Sequence, residues 1–202
     1  KNVTQFLGRL GSIKSVFSAF CRYGAFVSFF PQLIIGPITY LSEFNPQIQS
    51  KRFLRLNPID LAVGLTFISI GMFKKVVLAD NLAPTVDVVF SAANVGAEIH
   101  PVQAWIGALA YMAQLYFDFS GYSDMALGLA RMFGLRYPIN FFSPFKANGI
   151  IDYYRRWHMT LTQWIRDYVY RPFNLYDKQF GKLSIGPLLV FFLVGLWHGA
   201  NW

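Results

Sequence analysis

Positive charge in this chain falls in clusters separated by long apolar stretches, and that pattern leaves few folds open. Lysine and arginine occur within 1–22, at 51–55, at Lys74 and Lys75, and from Arg131 to Lys182. Between Val76 and Ala130 there are none, while Asp80, Asp87 and Glu98 lie in that gap. Apolar runs whose basic flanks alternate in this way follow the charge rule of membrane topology. Only 14% of residues are charged and 54% are hydrophobic, where soluble domains carry about 25% charge. The expected fold is all-α, a polytopic transmembrane helical bundle. The net charge of +8 does not signal nucleic acid, because no soluble basic face exists to bind it. Cys21, the single cysteine, excludes an internal disulfide framework and a Cys-rich metal site. The chain opens on Lys1 and stops at Trp202 inside an apolar stretch, so residues 1–202 are expected to be one fragment of a membrane domain, cut at both ends.

Residues 1–22 read as a basic amphipathic segment, with Phe6, Leu7, Leu10, Ile13, Val16 and Phe17 at helical spacing. YGAFVSFFPQLIIGPITYL (23–41) is apolar but interrupted by Pro31 and Gly36-Pro37. It is either re-entrant, buried in protein or lining a wet cavity, or an ordinary span with a kink. IDLAVGLTFISIGMFKKVVLAD (59–80) reads as a span, with Lys74 and Lys75 reaching outward or pairing with a carboxylate inside the bundle. An external loop is expected over 80–101, then a long helix from Val102 to about Phe133. A basic, aromatic stretch follows to Lys182, and the last span is GPLLVFFLVGLWHGANW (186–202).

The long helix is unusually polar for a span. Tyr116, Ser120, Asp124 and Gly128 form one small, polar stripe, and Gln114, Asp118, Gly121 and Tyr122 another. A carboxylate near the bilayer centre costs about 2.5–3.5 kcal/mol on insertion scales, so Asp118 is expected to face the bundle and pair with a Lys, Arg or His. Asp124, nearer the basic end, is expected to be solvated. The plainer account of both stripes is helix–helix glue.

IIDYYRRWHMTLTQWIRDYVYRPF (150–173) has the pattern of a helix lying in the membrane interface. Ile151, Tyr154, His158, Leu161, Ile165 and Tyr168 share one face, with Trp157 and Trp164 beside it. Asp152 with Arg155 or Arg156 reads as a helical ion pair. A second histidine, His198, stands in the otherwise uncharged run from Leu183 to Trp202. At about 1.5 Å per residue it lies roughly 20 Å into that run, where an ionisable group is a functional candidate by default. Neutral imidazole suits general-base work. No metal-ligand spacing, nucleophile elbow or phosphate-binding glycine loop is present. A proton-coupled channel using His198 and Asp118 stays open on these residues alone.

Together FFPQLIIGPITYLSEF (29–44), YFDFSGYSDMALGLARMFG (116–134), NFFSPF (140–145), YRRWHMTLTQWIRDYVYRP (154–172) and LWHGANW (196–202) resemble the membrane-bound O-acyltransferase family. The likeness is strongest to its alginate-acetylating and teichoic acid D-alanylating branch. Family members are longer, with further helices on both sides. The resemblance implies a multi-pass bundle in the bacterial inner membrane around a tunnel, with His198 as the catalytic histidine and His158 as a second. It implies no bound cofactor but a thioester donor, acetyl-coenzyme A or an acyl carrier, on the cytoplasmic side. The acyl group would cross the membrane toward a polysaccharide such as alginate, often completed by an extracytoplasmic partner of SGNH type. Asp118, Ser120 and Tyr122, with Trp157 and Trp197 beside the histidines, would line the path. Two departures stand out: Phe142 occupies a place where related sequences often carry Asn or Asp, and the stretch after Arg171 lacks a Gly-Gly turn.

Overall fold

The computed structural model describes residues 13–33, 36–173, 179–180 and 183–199. Phe6, Leu7 and Leu10 of the first amphipathic segment, Ile34 and Ile35, part of the stretch after Arg171, and the last three residues of LWHGANW lie outside them. The chain divides into two units, 1–139 and 140–202.

In the first unit, α1 (Ile13–Ser28) ends before a 3-10 turn at Phe30–Gln32, and extended backbone leads to α2 (Leu41–Ile48). Residues 23–41 are therefore not one kinked helix: the chain breaks at Pro31. Pro31 and Gly36 set the break, because a Cβ at Gly36 would sit 2.1 Å from the Pro31 carbonyl oxygen. Gln32 ties it together. Its amide donates to the Phe26 carbonyl, and its Oε1 accepts from Thr39 Oγ1 and, at 2.9 Å, from Tyr137 Oη. Burial raises the Tyr137 phenol above its ordinary pKa. Phe44, Ala130, Leu135 and Tyr137 form the small buried core here, with Phe26 and Phe29 edge-on or tilted against Phe44.

Asn57 starts α3 (Pro58–Met72) by accepting the Ile59 N–H at 2.9 Å, with Pro58 in the first turn. A π-helix (Phe73–Ala79) continues α3 directly into α4 (Asp80–Asn94). The expected loop at 80–101 is thus helical to Asn94. Its polar residues did not break it because α4 packs on α5 (Pro101–Met132), where Gly107 lies against Val89. His100, placed in that loop by sequence, caps α5 through a reciprocal box with Gln103. Gly134, at φ +82°, ends α5, and its N–H donates to the Arg131 carbonyl at 2.9 Å.

Two glycine pairs join α3 to α5. A Cβ on Gly64 would lie 2.7 Å from the Gly128 carbonyl oxygen, and one on Gly71 would lie 2.4 Å from that of Gly121. The reverse substitutions meet the same backbones. Small residues let helix backbones approach to this distance. Beyond the seam, Arg52 Nε at 2.9 Å and Arg131 Nε at 2.8 Å hold the buried Asp60 carboxylate, tying the 51–55 loop to both helices.

Pro58–Asn94 is long and apolar enough to cross a membrane. At about 1.5 Å per residue its 37 residues span roughly 55 Å, more than the ~30 Å hydrocarbon core. Large apolar side chains along α3 to α5 stand exposed, Val88 at 71% and Trp105 at 69%. Such a surface suits a hydrocarbon solvent or further protein, not water.

In the second unit, a 3-10 turn (Pro144–Lys146) precedes α6 (Ile150–Arg156) and α7 (Met159–Ile165), with a π-helical turn at Arg166–Tyr170. The short antiparallel pair β1 (Gln179–Phe180) and β2 (Leu183–Ser184) adds a local exception to an otherwise helical chain and leads into α8 (Ile185–His198). That helix is apolar but only 14 residues long.

Candidate functional site

The expected single interfacial helix over 150–173 is in fact two. It breaks at Trp157 and His158, and His158 adopts the left-handed conformation, φ 44° and ψ 55°. For a residue with a Cβ this costs roughly 1–2 kcal/mol, so something must hold it. The holder is the segment 140–142. Phe142 donates its N–H to the Arg156 carbonyl at 2.9 Å, and Met159 donates to the Asn140 carbonyl at 2.9 Å, one bond on each side of the break. The Asn140 side chain, 1% exposed, completes the clamp. Its Oδ1 lies 3.3 Å from the Thr160 N–H, 2.9 Å from Thr160 Oγ1 and 2.9 Å from His158 Nδ1.

Aromatic rings frame the same point. Phe141 meets Trp157 edge-on at 5.0 Å and lies nearly parallel to the His158 ring at 6.5 Å. Tyr153 stacks on Trp157 at 5.7 Å. Phe142 carries the Arg156 guanidinium at 5.5 Å from its ring centroid, a cation–π contact. Arg156 also pairs with Asp152 at 2.9 Å, and this ion pair holds the Asp152 carboxyl below its usual range.

His198 is the last residue of α8. Its Nδ1 lies 2.8 Å from the Val194 carbonyl oxygen. A carbonyl only accepts, so Nδ1 carries the hydrogen and the basic lone pair lies on Nε2. Trp197 packs edge-on against the ring at 4.7 Å, and both side chains are exposed in this chain. Tyr154 of α6 touches Phe191 of α8, centroids 5.3 Å apart, so the elements bearing the two histidines adjoin. Burial, then the charge of His198, pushes the His158 pKa down to about 4.

The sign of that shift gives a prediction. An unfolded histidine titrates near 6.5 and this one near 4, so between those values the unfolded chain binds the extra proton. His158 therefore supports the fold fully above about pH 6.5, and the support fades as pH falls toward 4. Melting curves at pH 7 and 4.5 should show an acid-induced loss in the parent that is smaller in His158→Gln. An equal loss in both would remove His158 as its source.

The first unit holds the other sequence-derived candidates. Asp118 pairs with Lys75 at 2.8 Å, and Lys75 also meets Asp80 at 2.6 Å. Asp124, expected to be solvated, instead pairs with Lys74 at 2.6 Å. The π-helix bears both lysines, and the close α3–α5 approach brings Asp124 within reach. Ser120 is 1% exposed, with no hydrogen-bond partner for its hydroxyl among the described residues. Tyr122 is half-buried on the same helix. A depression of about 410 Å³ lies between Val63, Phe67, Leu127 and Arg131, and none of these candidates lines it. Asn140 and Thr160 are the residues the sequence did not disclose. The only signal was Asn140 opening the NFFSPF motif.

The sequence model of the membrane-bound O-acyltransferase family matches residues 13–202. The chain belongs to that family. Among membrane-bound O-acyltransferases it is 48% identical to a peptidoglycan O-acetyltransferase of Helicobacter pylori, over 92% of this chain and 34% of the relative. It is 42% identical to a probable alginate O-acetylase of Azotobacter vinelandii, over 89% and 35%. A teichoic acid D-alanyltransferase of Bacillus subtilis is 32% identical, over 86% and 45%. The chain thus spans between a third and a half of these relatives' length. Both histidines of the second unit fall within the part that matches the family.

Proposed function

We propose that this segment carries the reaction centre of a multi-pass inner-membrane O-acyltransferase. It takes an acetyl group from a cytoplasmic thioester, acetyl-coenzyme A or an acyl carrier, for O-acetylation of an extracytoplasmic polysaccharide. The observation that carries the reading is the second unit itself: two imidazoles on adjoining elements, one at a clamped break and one ending an apolar helix. In this reading His198 Nε2 accepts the proton of an acceptor hydroxyl as its oxygen attacks the thioester carbonyl. The C–O bond forms, the C–S bond breaks, and the proton passes from the imidazolium to the departing thiolate. His158, between Trp157 and Phe141, positions the donor. Trp197 shapes the space beside His198, and Asp118, Ser120 and Tyr122 belong to the path through the first unit.

The names of the relatives support a polysaccharide hydroxyl as acceptor, peptidoglycan or alginate. The D-alanyl alternative draws on more distant ones. An SGNH-type partner would complete transfer outside the membrane. The test uses the full-length protein together with its extracytoplasmic partner in vesicles, with labelled acetyl thioester outside and polymer within. Label should enter the polymer as ester, and only when the donor is present. Passage of protons or solute with no donor, and no ester, would instead support a transporter built on His198 and Asp118.

A further inference from the structure

We propose that Asn140 is a positioning residue that fixes His158 as the Nδ1–H tautomer and thereby makes its Nε2 a hydrogen-bond acceptor. This rests on the reaction-centre reading above and sharpens it. The Thr160 backbone N–H can only donate, so the atom of the Asn140 amide that it meets at 3.3 Å is the oxygen. This settles the orientation of the amide without appeal to the ring. The same oxygen lies 2.9 Å from His158 Nδ1, and an amide oxygen only accepts, so Nδ1 must carry hydrogen. In neutral imidazole the remaining lone pair is then on Nε2.

The geometry is rigid where it matters. Asn140 is 1% exposed and Thr160 is 4% exposed. The backbone bonds Met159 N–H to Asn140 and Phe142 N–H to Arg156 hold the two segments in register. The ring cannot flip to the other tautomer without leaving a buried amide oxygen facing a bare ring nitrogen. Two acceptors in that contact would lose a hydrogen bond and repel.

The consequence for the chemistry is directional. A neutral His158 of this tautomer cannot polarise a thioester carbonyl, because it has no N–H to offer from Nε2. It can accept from a hydroxyl, or from an amide N–H such as those along a pantetheine arm. Its low pKa keeps it neutral at physiological pH. His158 thus holds a donating group of the substrate, while the carbonyl is activated elsewhere.

The full-length protein, labelled with ¹⁵N-histidine in nanodiscs, tests this directly, since ring nitrogen shifts separate protonated from bare nitrogen. At pH 7.5 the parent should show His158 with Nδ1 protonated and Nε2 bare. Asn140→Leu, similar in size but lacking the oxygen, should show mixed tautomers. Its kcat should fall on the order of ten- to a hundredfold, and KM for the donor should rise, since Nε2 no longer accepts from it. Thr160→Val leaves the Asn140–His158 contact and should keep the tautomer. If Asn140→Leu does not fold, Asn140→Asp, which keeps an acceptor oxygen, should retain protonated Nδ1. A parent with hydrogen on Nε2, an unchanged tautomer in Asn140→Leu, or an altered tautomer with unchanged kcat would each overturn the proposal. The spectra need no turnover, so a parent that shows the expected tautomer yet transfers no acyl group would sink the reaction-centre reading alone.

Discussion

Replacing His198 with alanine in the full-length protein should lower acyl transfer by at least about a thousandfold, within the range that general acid–base catalysis contributes. Protein level and membrane insertion should not change. The structural cost is small because the ring is exposed and its Nδ1 bonds to the Val194 carbonyl of its own helix. Losing it leaves the apolar character of α8 unchanged. His198→Gln is the sharper variant, since the amide retains polarity but cannot take a proton at neutral pH. Labelled ester formed on the polymer is the measurement. Activity within tenfold of the parent in both variants would mean that another group accepts the proton.

The second large effect should come from the glycine seam. Gly71→Leu places a branched side chain where a Cβ alone would lie 2.4 Å from the Gly121 backbone. Neither backbone can yield without parting α3 from α5. Overpacking of this kind costs typically 1–3 kcal/mol, and here the whole α3–α5 contact is at stake, so the upper end or more is expected. The variant should melt markedly lower or fail to accumulate. Gly24→Ala, where a Cβ meets nothing within 4 Å, should be tolerated as the control. A Gly71→Leu melting point equal to the parent's would show that the two helices do not touch there.

Much of this organisation could be read from the chain, and the failures have physical causes. The long polar helix was expected from Val102 to about Phe133 and runs from Pro101 to Met132, because Pro101 and Gly134 are strong local signals. Asp118 is paired with Lys75, as the sequence leads one to expect, but its side chain is 44% exposed among the described residues and not enclosed by the helices there. Asp124 is paired and not solvated because Lys74, fifty residues away in sequence, reaches it, and no local pattern connects the two. Asp60 gives no local signal for the same reason, being held by arginines from the loop before it and from the far end of α5. Apolar periodicity over 150–173 continues through His158 and reads as one helix, while the bonds that interrupt it come from Asn140 and Phe142. The two histidines stand out in the sequence by their places in apolar segments. What supports them does not, because a buried asparagine reads like any other loop residue until its neighbours are known.

The left-handed backbone at His158 changes how a mutational scan of this position should be interpreted. Alanine deletes the imidazole yet keeps a Cβ in a conformation that disfavours one, and it also removes the ring–Asn140 contact that helped hold the turn. Glycine deletes the imidazole and accepts the same dihedral angles freely. Only the glycine variant separates the chemistry of the lost ring from a rearranged main chain, so an alanine result taken alone would credit the side chain with a defect partly owed to the peptide backbone.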